Sequence, residues 1–129
     1  MRDLRLLVIE DDPGITRMLK SIFLIAGIKA VFADTGRKGL DMLAGDDIGM
    51  ILCDIMLPDI IGYDILKQVR TAQETGHIQT HIPFVFLTAF ADQADIQRGL
   101  EAGADRYLTK PFAVSTLLQV IKELMQPAA

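Results

Sequence analysis

At 129 residues the chain fits one domain of ordinary size and leaves no room for a second. Half of it is hydrophobic, enough to pack a core, which argues against a disordered chain. Its 17 acidic residues outnumber the 13 basic ones, giving a net charge of −4 without any basic block, so nucleic-acid binding has no electrostatic support; the single Cys53 excludes an intrachain disulfide and a cysteine zinc site.

The N-terminal Met1-Arg2-Asp3-Leu4-Arg5 leads into an apolar stretch too short for a signal peptide. No apolar run approaches the roughly 18 residues that span a bilayer, and the expectation is a soluble, cytoplasmic protein.

Apolar periodicity then switches repeatedly between strand and helix patterns. Leu6-Leu7-Val8-Ile9 continues from Leu4 as a short apolar run, as in a parallel strand buried on both faces. Ile15, Met18, Leu19, Ile22, Phe23 and Ala26 share one face of a helix, begun near Pro13 with Asp12 as its expected cap and stopped by Gly27. Residues 29–33 read as a second strand and 36–44 as a helix ended at Gly45. Met50-Ile51-Leu52-Cys53 is a third strand running into Asp54, and a loop over 56–62 leads to a helix over 63–73. Residues 84–87 read as the fourth strand, 92–102 as a helix and 106–108 as a short fifth strand. Val114, Leu117, Leu118, Ile121, Leu124 and Met125 stripe a last helix ahead of Pro127, with 126–129 a fraying end.

Five alternating strand–helix units predict an α/β fold: a three-layer, doubly wound (βα)5 arrangement around a parallel sheet. Ligands of such sheets bind beyond the C-terminal ends of the strands, and the polar residues gather there. Glu10, Asp11 and Asp12 follow the first strand, Asp54 the third, Thr88 the fourth, and Thr109-Lys110 the fifth. Carboxylates held close repel one another unless a cation is present, and a few of them with room for water suit Mg²⁺. An aspartate with a metal beside it, a lysine opposite and a hydroxyl nearby can accept a phosphoryl group.

Four segments carry a family resemblance: Leu7-Val8-Ile9-Glu10-Asp11-Asp12, Leu52-Cys53-Asp54-Ile55-Met56-Leu57-Pro58-Asp59 with Gly62, Phe86-Leu87-Thr88-Ala89, and Gly103-Ala104-Asp105-Arg106-Tyr107-Leu108-Thr109-Lys110-Pro111-Phe112. In order and spacing they resemble the receiver domain of two-component response regulators, including the stand-alone chemotaxis regulator. The resemblance implies a flavodoxin-like strand order 2-1-3-4-5 and a single receiver domain over 1–129 with no output domain in this chain. It implies that Asp54 is phosphorylated from a phosphohistidine on a sensor histidine kinase or a histidine phosphotransfer protein. Asp11 and Asp54 would contact Mg²⁺ directly, Glu10 through water, and Met56 through its backbone carbonyl. Thr88 and Lys110 would contact the phosphate, Tyr107 would be an aromatic switch, and the bond before Pro111 would be cis. The face built from the fourth helix, fifth strand and fifth helix would then control a downstream protein or an output domain on another chain. No membrane or direct nucleic-acid contact is implied, and no enzyme activity beyond self-phosphotransfer and autodephosphorylation.

Some residues depart from the family pattern. Ile60 and Ile61 put branched apolar side chains where a polar residue is common, and with Leu57 they form a candidate partner patch. Phe90, two residues past Thr88, is bulky near the phosphate's water access and is expected to slow hydrolysis. Arg106 stands where an acid is common. His77 and His81 have an i, i+4 spacing but no third ligand, and no metal site is expected there. A phosphatase of the haloacid-dehalogenase type would need a second acid where Met56 stands. A flavin-binding flavodoxin would need a Ser/Thr/Gly-rich loop where Glu10-Asp11-Asp12 stand.

Overall fold

The computed structural model describes residues 4–45, 47–78 and 81–125. The expected fraying end and the first three residues lie outside that description. The elements run β1 (Arg5–Ile9), α1 (Pro13–Ala26), β2 (Ala30–Ala33), α2 (Gly36–Gly45), β3 (Ile48–Cys53), α3 (Gly62–Glu74), β4 (Phe84–Thr88), α4 (Gln93–Glu101), β5 (Arg106–Thr109) and α5 (Val114–Leu124). All strand pairings are parallel, in the order β2-β1-β3-β4-β5. This is the doubly wound, flavodoxin-like arrangement expected.

Because side chains alternate along a strand, each central strand feeds two cores. Leu6, Val8, Met50, Leu52, Val85 and Leu87 pack with Leu19 and Phe23 of α1 and with Leu117, Val120 and Ile121 of α5. Leu7, Ile9, Ile51, Cys53, Phe84 and Phe86 face the other way, against Ile65, Leu66 and Val69 of α3 and Leu40 and Leu43 of α2. Every residue of β4 is buried, which is why it reads as a continuous apolar run without alternation.

Helix α1 begins where Asp12 Oδ1 accepts from the Gly14 and Ile15 N–H groups at 2.8 and 3.3 Å, a cap worth about 1 kcal/mol. It ends at Gly27, whose φ of 73° lets the chain turn so that the Ile28 N–H reaches the Phe23 carbonyl.

Several boundaries differ from the periodic reading. β3 starts at Ile48, two residues early, since Gly49 hides the alternation. A Cβ on Gly49 would lie 2.7 Å from that of Leu4, so glycine there admits the neighbouring chain. Thr88 and Thr109 end their strands as paired residues instead of following them. Met18, placed on the buried face of α1, is exposed, as is Val114 at the start of α5. The core takes the narrower stripe Leu19–Phe23 with Ile15 and Ile22 at its edges. Leu57 and Ile60 pack against the core, so the expected apolar patch is reduced to Ile61, with Met56 exposed nearby in the sequence. No described helix is long and apolar enough to cross a membrane.

The connection after α3 is organised by that helix's own last turns. Gln73 Oε1 accepts from the Ile82 N–H at 3.0 Å and from Arg70, which donates to the carbonyls of Ile82 and Gly103 and to Asp105. Asp105 also accepts from the Phe84 N–H at 2.8 Å and meets His81 at 3.2 Å, while His77 meets Thr75. This network clamps the starts of β4 and β5, at the sheet edge opposite the acidic residues.

Candidate functional site

The parallel sheet brings the C-terminal ends of β1, β3, β4 and β5 to one edge, and the predicted residues meet there according to how each strand ends. Glu10 N–H still bonds the Ala33 carbonyl, and Asp54 N–H the Ile9 carbonyl, so both acids leave the sheet with their backbone anchored. Lys110 N–H bonds the Thr88 carbonyl in the same way, and the Lys110–Pro111 bond is cis.

The lysine bridges two carboxylates. Its Nζ lies 2.8 Å from Glu10 Oε2 and 2.9 Å from Asp54 Oδ2. Glu10 and Asp54 are 3% and 8% exposed, whereas Asp11 is open to solvent. One carboxylate oxygen from each of Glu10, Asp11 and Asp54 falls within a 4.8 Å cluster. Glu10 uses its other oxygen to accept from the Asp12 N–H at 3.1 Å. An open cleft of about 520 Å³ between α1, β2 and α2 reaches Glu10 and Asp11 from the side, past Thr16, Lys20 and Lys38.

Burial raises the Glu10 carboxyl above its usual range despite the hydrogen bond from Lys110. Burial also pushes Lys110 down, but its hydrogen bonds and charge pairing with Glu10 and Asp54 outweigh that and leave it raised. Both shifts have one origin. Glu10 sits deep with a single cation, while Lys110 sits at the rim between two anions. The donor set is all oxygen, with one lysine compensating part of its charge, and it fits a hard divalent cation.

The remaining predicted residues stand on the strand ends and loops of the same edge. Met56 N–H approaches Asp54 Oδ1 at 3.4 Å, and its side chain is exposed. Thr88 is fully buried, with Oγ1 accepting from the Phe90 N–H at 3.4 Å. The Tyr107 hydroxyl donates to the Phe90 carbonyl at 2.7 Å, and its ring lies edge-on to Phe86. A Cβ on Gly99 would come 2.7 Å from that ring, so glycine lets α4 rest on it. Sequence reasoning assigned Asp12 to the α1 cap, correctly, but gave no role to Asp59, which accepts from two N–H groups of α2. An aspartate directly after Pro58 in a loop was the available signal.

Burial, with Tyr63, Asp95 and Asp54, pushes the Tyr107 phenol up to about 12 from 10.0. A raised folded value means that this contribution to stability is complete below pH 10 and is lost as the pH climbs toward 12. The stability advantage of the wild type over Tyr107→Phe should therefore shrink across that interval. Urea midpoints taken at each pH will show it, and a constant difference would contradict the assignment.

The strand order and its acidic, lysine-bridged edge define a doubly wound α/β protein with a cation-ready carboxylate site. The family model for the response regulator receiver domain matches residues 6–122. The chain belongs to that family, the receiver domains of two-component response regulators. It is 35% identical over 126 residues to the transcriptional regulatory protein CusR of Escherichia coli, covering 98% of this chain and 53% of CusR. The chain thus spans about half the length of the curated relatives it matches. Among solved structures it superposes on the receiver domain of the Pseudomonas aeruginosa sensor histidine kinase PA1611, with magnesium coordinated in its active-site cleft (TM-score 0.82, 27% identity, 96% of this chain and 98% of that one). It also superposes on the co-crystal structure of the Saccharomyces cerevisiae phosphotransfer protein Ypd1 with the receiver domain of Ssk1 (TM-score 0.85, 26% identity, 95% and 89%).

Proposed function

We propose that Asp54 accepts a phosphoryl group from a phosphohistidine on a sensor histidine kinase or a histidine phosphotransfer protein. An Asp54 carboxylate oxygen attacks phosphorus, the bond from phosphorus to the donor imidazole breaks, and an acyl phosphate forms. The observation that carries this reading is Lys110 Nζ, held within 2.9 Å of both Asp54 and Glu10 inside a three-carboxylate cluster. Glu10, Asp11, Asp54 and the Met56 carbonyl would hold Mg²⁺, which when bound neutralises the charge of the transferring group's oxygens. The magnesium in the PA1611 receiver and the Ypd1–Ssk1 pairing support the metal and the donor class.

Asp54 carries about one further negative charge once phosphorylated. Thr88, at the end of β4, moves its hydroxyl toward the new oxygens, and Tyr107 leaves the Phe90 carbonyl to follow it. Since α4 rests on the Tyr107 ring at Gly99, that movement reshapes the α4-β5-α5 face for a protein target or an output domain on another chain. Residues 1–129 act as one receiver unit, and its chemistry is limited to its own phosphorylation and the loss of that group. We place the protein in the cytoplasm, a compartment compatible with a reduced Cys53. The net charge of −4 offers nothing to a nucleic-acid backbone.

Incubation with acetyl phosphate and Mg²⁺ tests the assignment. The wild type should gain the mass of one phosphoryl group and Asp54→Asn none; equal gains would end it. Phe90, two residues past Thr88 and exposed, would shield the acyl phosphate from water. Phe90→Ala should shorten the phosphate lifetime, as followed by the decay of the phosphorylated mass, and an unchanged lifetime would remove that role.

A further inference from the structure

The loop that leaves Asp54 is tied to a helix that the phosphoryl chemistry does not use. The first N–H groups of α2 have no partner within the helix. Thr35 Oγ1 accepts from the Lys38 N–H at 3.1 Å. The other two go to a residue 23 and 22 positions away: Asp59 Oδ1 accepts from Gly36 at 2.8 Å, and Oδ2 from Arg37 at 2.9 Å. Oδ1 also accepts from the Ile60 N–H at 2.9 Å, so the same carboxylate fixes its own loop. Led by the Arg37 N–H, these bonds hold the Asp59 carboxyl below its usual range. The approach is close by construction, since a Cβ on Gly36 would lie 2.9 Å from Ile65 Cδ1, 3.1 Å from Ile60 Cβ and 3.3 Å from Asp59 Oδ1.

Met56 stands three residues before Asp59, with Pro58 between them fixing φ. At its other end the loop is held by the Met56 N–H on Asp54 and by the Gly62 N–H on the Ile55 carbonyl at 2.7 Å. Resting on the reading of the site given above, we infer that Asp59 is a positioning residue for the metal: by capping α2 it sets the path of residues 55–60, and with it the Met56 carbonyl.

The test is calorimetric titration of the whole chain with Mg²⁺, paired with thermal melts in the absence of metal. Asp59→Ala should weaken Mg²⁺ binding on the order of tenfold, as loss of groups that orient ligands does. Asp59→Asn keeps an acceptor for Gly36 and Ile60 and should fall between the two. Thr35→Ala removes a cap from the same helix without touching the loop, so it should lower Tm and leave the Mg²⁺ affinity unchanged. Wild-type affinity in Asp59→Ala, or equal weakening in Thr35→Ala, overturns the inference. If Asp59→Ala does not fold, Asp59→Asn binding Mg²⁺ more weakly than Thr35→Ala supports it, and equal binding overturns it. Failure of the wild type to bind Mg²⁺, or Asp54→Asn binding as well as wild type, refutes the reading of the site itself.

Discussion

Lys110→Ala should slow phosphoryl uptake from acetyl phosphate by about 10²–10³-fold, the loss expected when one preorganised charge-stabilising group is removed. Asp54 stays chemically intact in this variant, so the loss isolates the lysine. The same substitution strips the only cation recorded within hydrogen-bonding distance of Glu10 and Asp54 among the described residues. Two nearly buried carboxylates would then face each other and Asp11 without compensation. Breaking such a pair costs about 3 kcal/mol, the lower end of the range because Lys110 sits at the rim. Added Mg²⁺ should restore more stability to the variant than it adds to the wild type, since a cation would replace the missing charge. Mass-spectrometric uptake rates and thermal melts with and without Mg²⁺ measure both effects. An unchanged uptake rate would show that Lys110 is no more than a structural counter-ion.

What was readable beforehand follows from how the chain encodes proximity. Glu10, Asp11, Asp54, Thr88 and Lys110 each stand at or just beyond the end of an apolar run. A parallel sheet sends all such ends to one edge, so their meeting needed no knowledge of side-chain packing. The Asp12 cap was readable because its partners are its immediate neighbours. The bonds from Asp59 to α2 and from Arg70 to Asp105 link residues 22 to 35 apart with no periodic signature, so only the folded chain shows them. Burial was misread where a stripe was taken too wide. A face spanning Ile15 to Ala26 subtends more of α1 than the sheet can cover, which leaves Met18 in solvent. Leu57 and Ile60 failed in the opposite sense, since the loop packs them half-buried against the core where a polar loop would leave them exposed.

Gly62→Ala should be the most disruptive of the small substitutions near the site. Gly62 opens α3 and is buried, and Ile61 ahead of it provides no side-chain cap. A Cβ there would lie 2.6 Å from the Asp54 carbonyl oxygen, 2.8 Å from Ile55 Cα and 3.1 Å from Phe86 Cε1. The two nearest atoms are backbone, so no side-chain rotation can relieve the overlap; either the start of α3 or the exit of β3 must move. Overpacking of this kind costs about 3 kcal/mol. Because the displaced backbone carries Asp54, a shift of about 1 Å should also slow phosphoryl uptake on the order of 10²-fold. Gly45→Ala supplies the contrast: no atom lies within 4 Å of its Cβ position and its φ is not left-handed, so alanine should stabilise by about 0.5 kcal/mol through the unfolded chain. Urea midpoints and uptake rates for the two variants separate loss of a glycine from loss of this close approach. Wild-type stability in Gly62→Ala would mean that Asp54 and α3 are less tightly apposed than their backbones indicate.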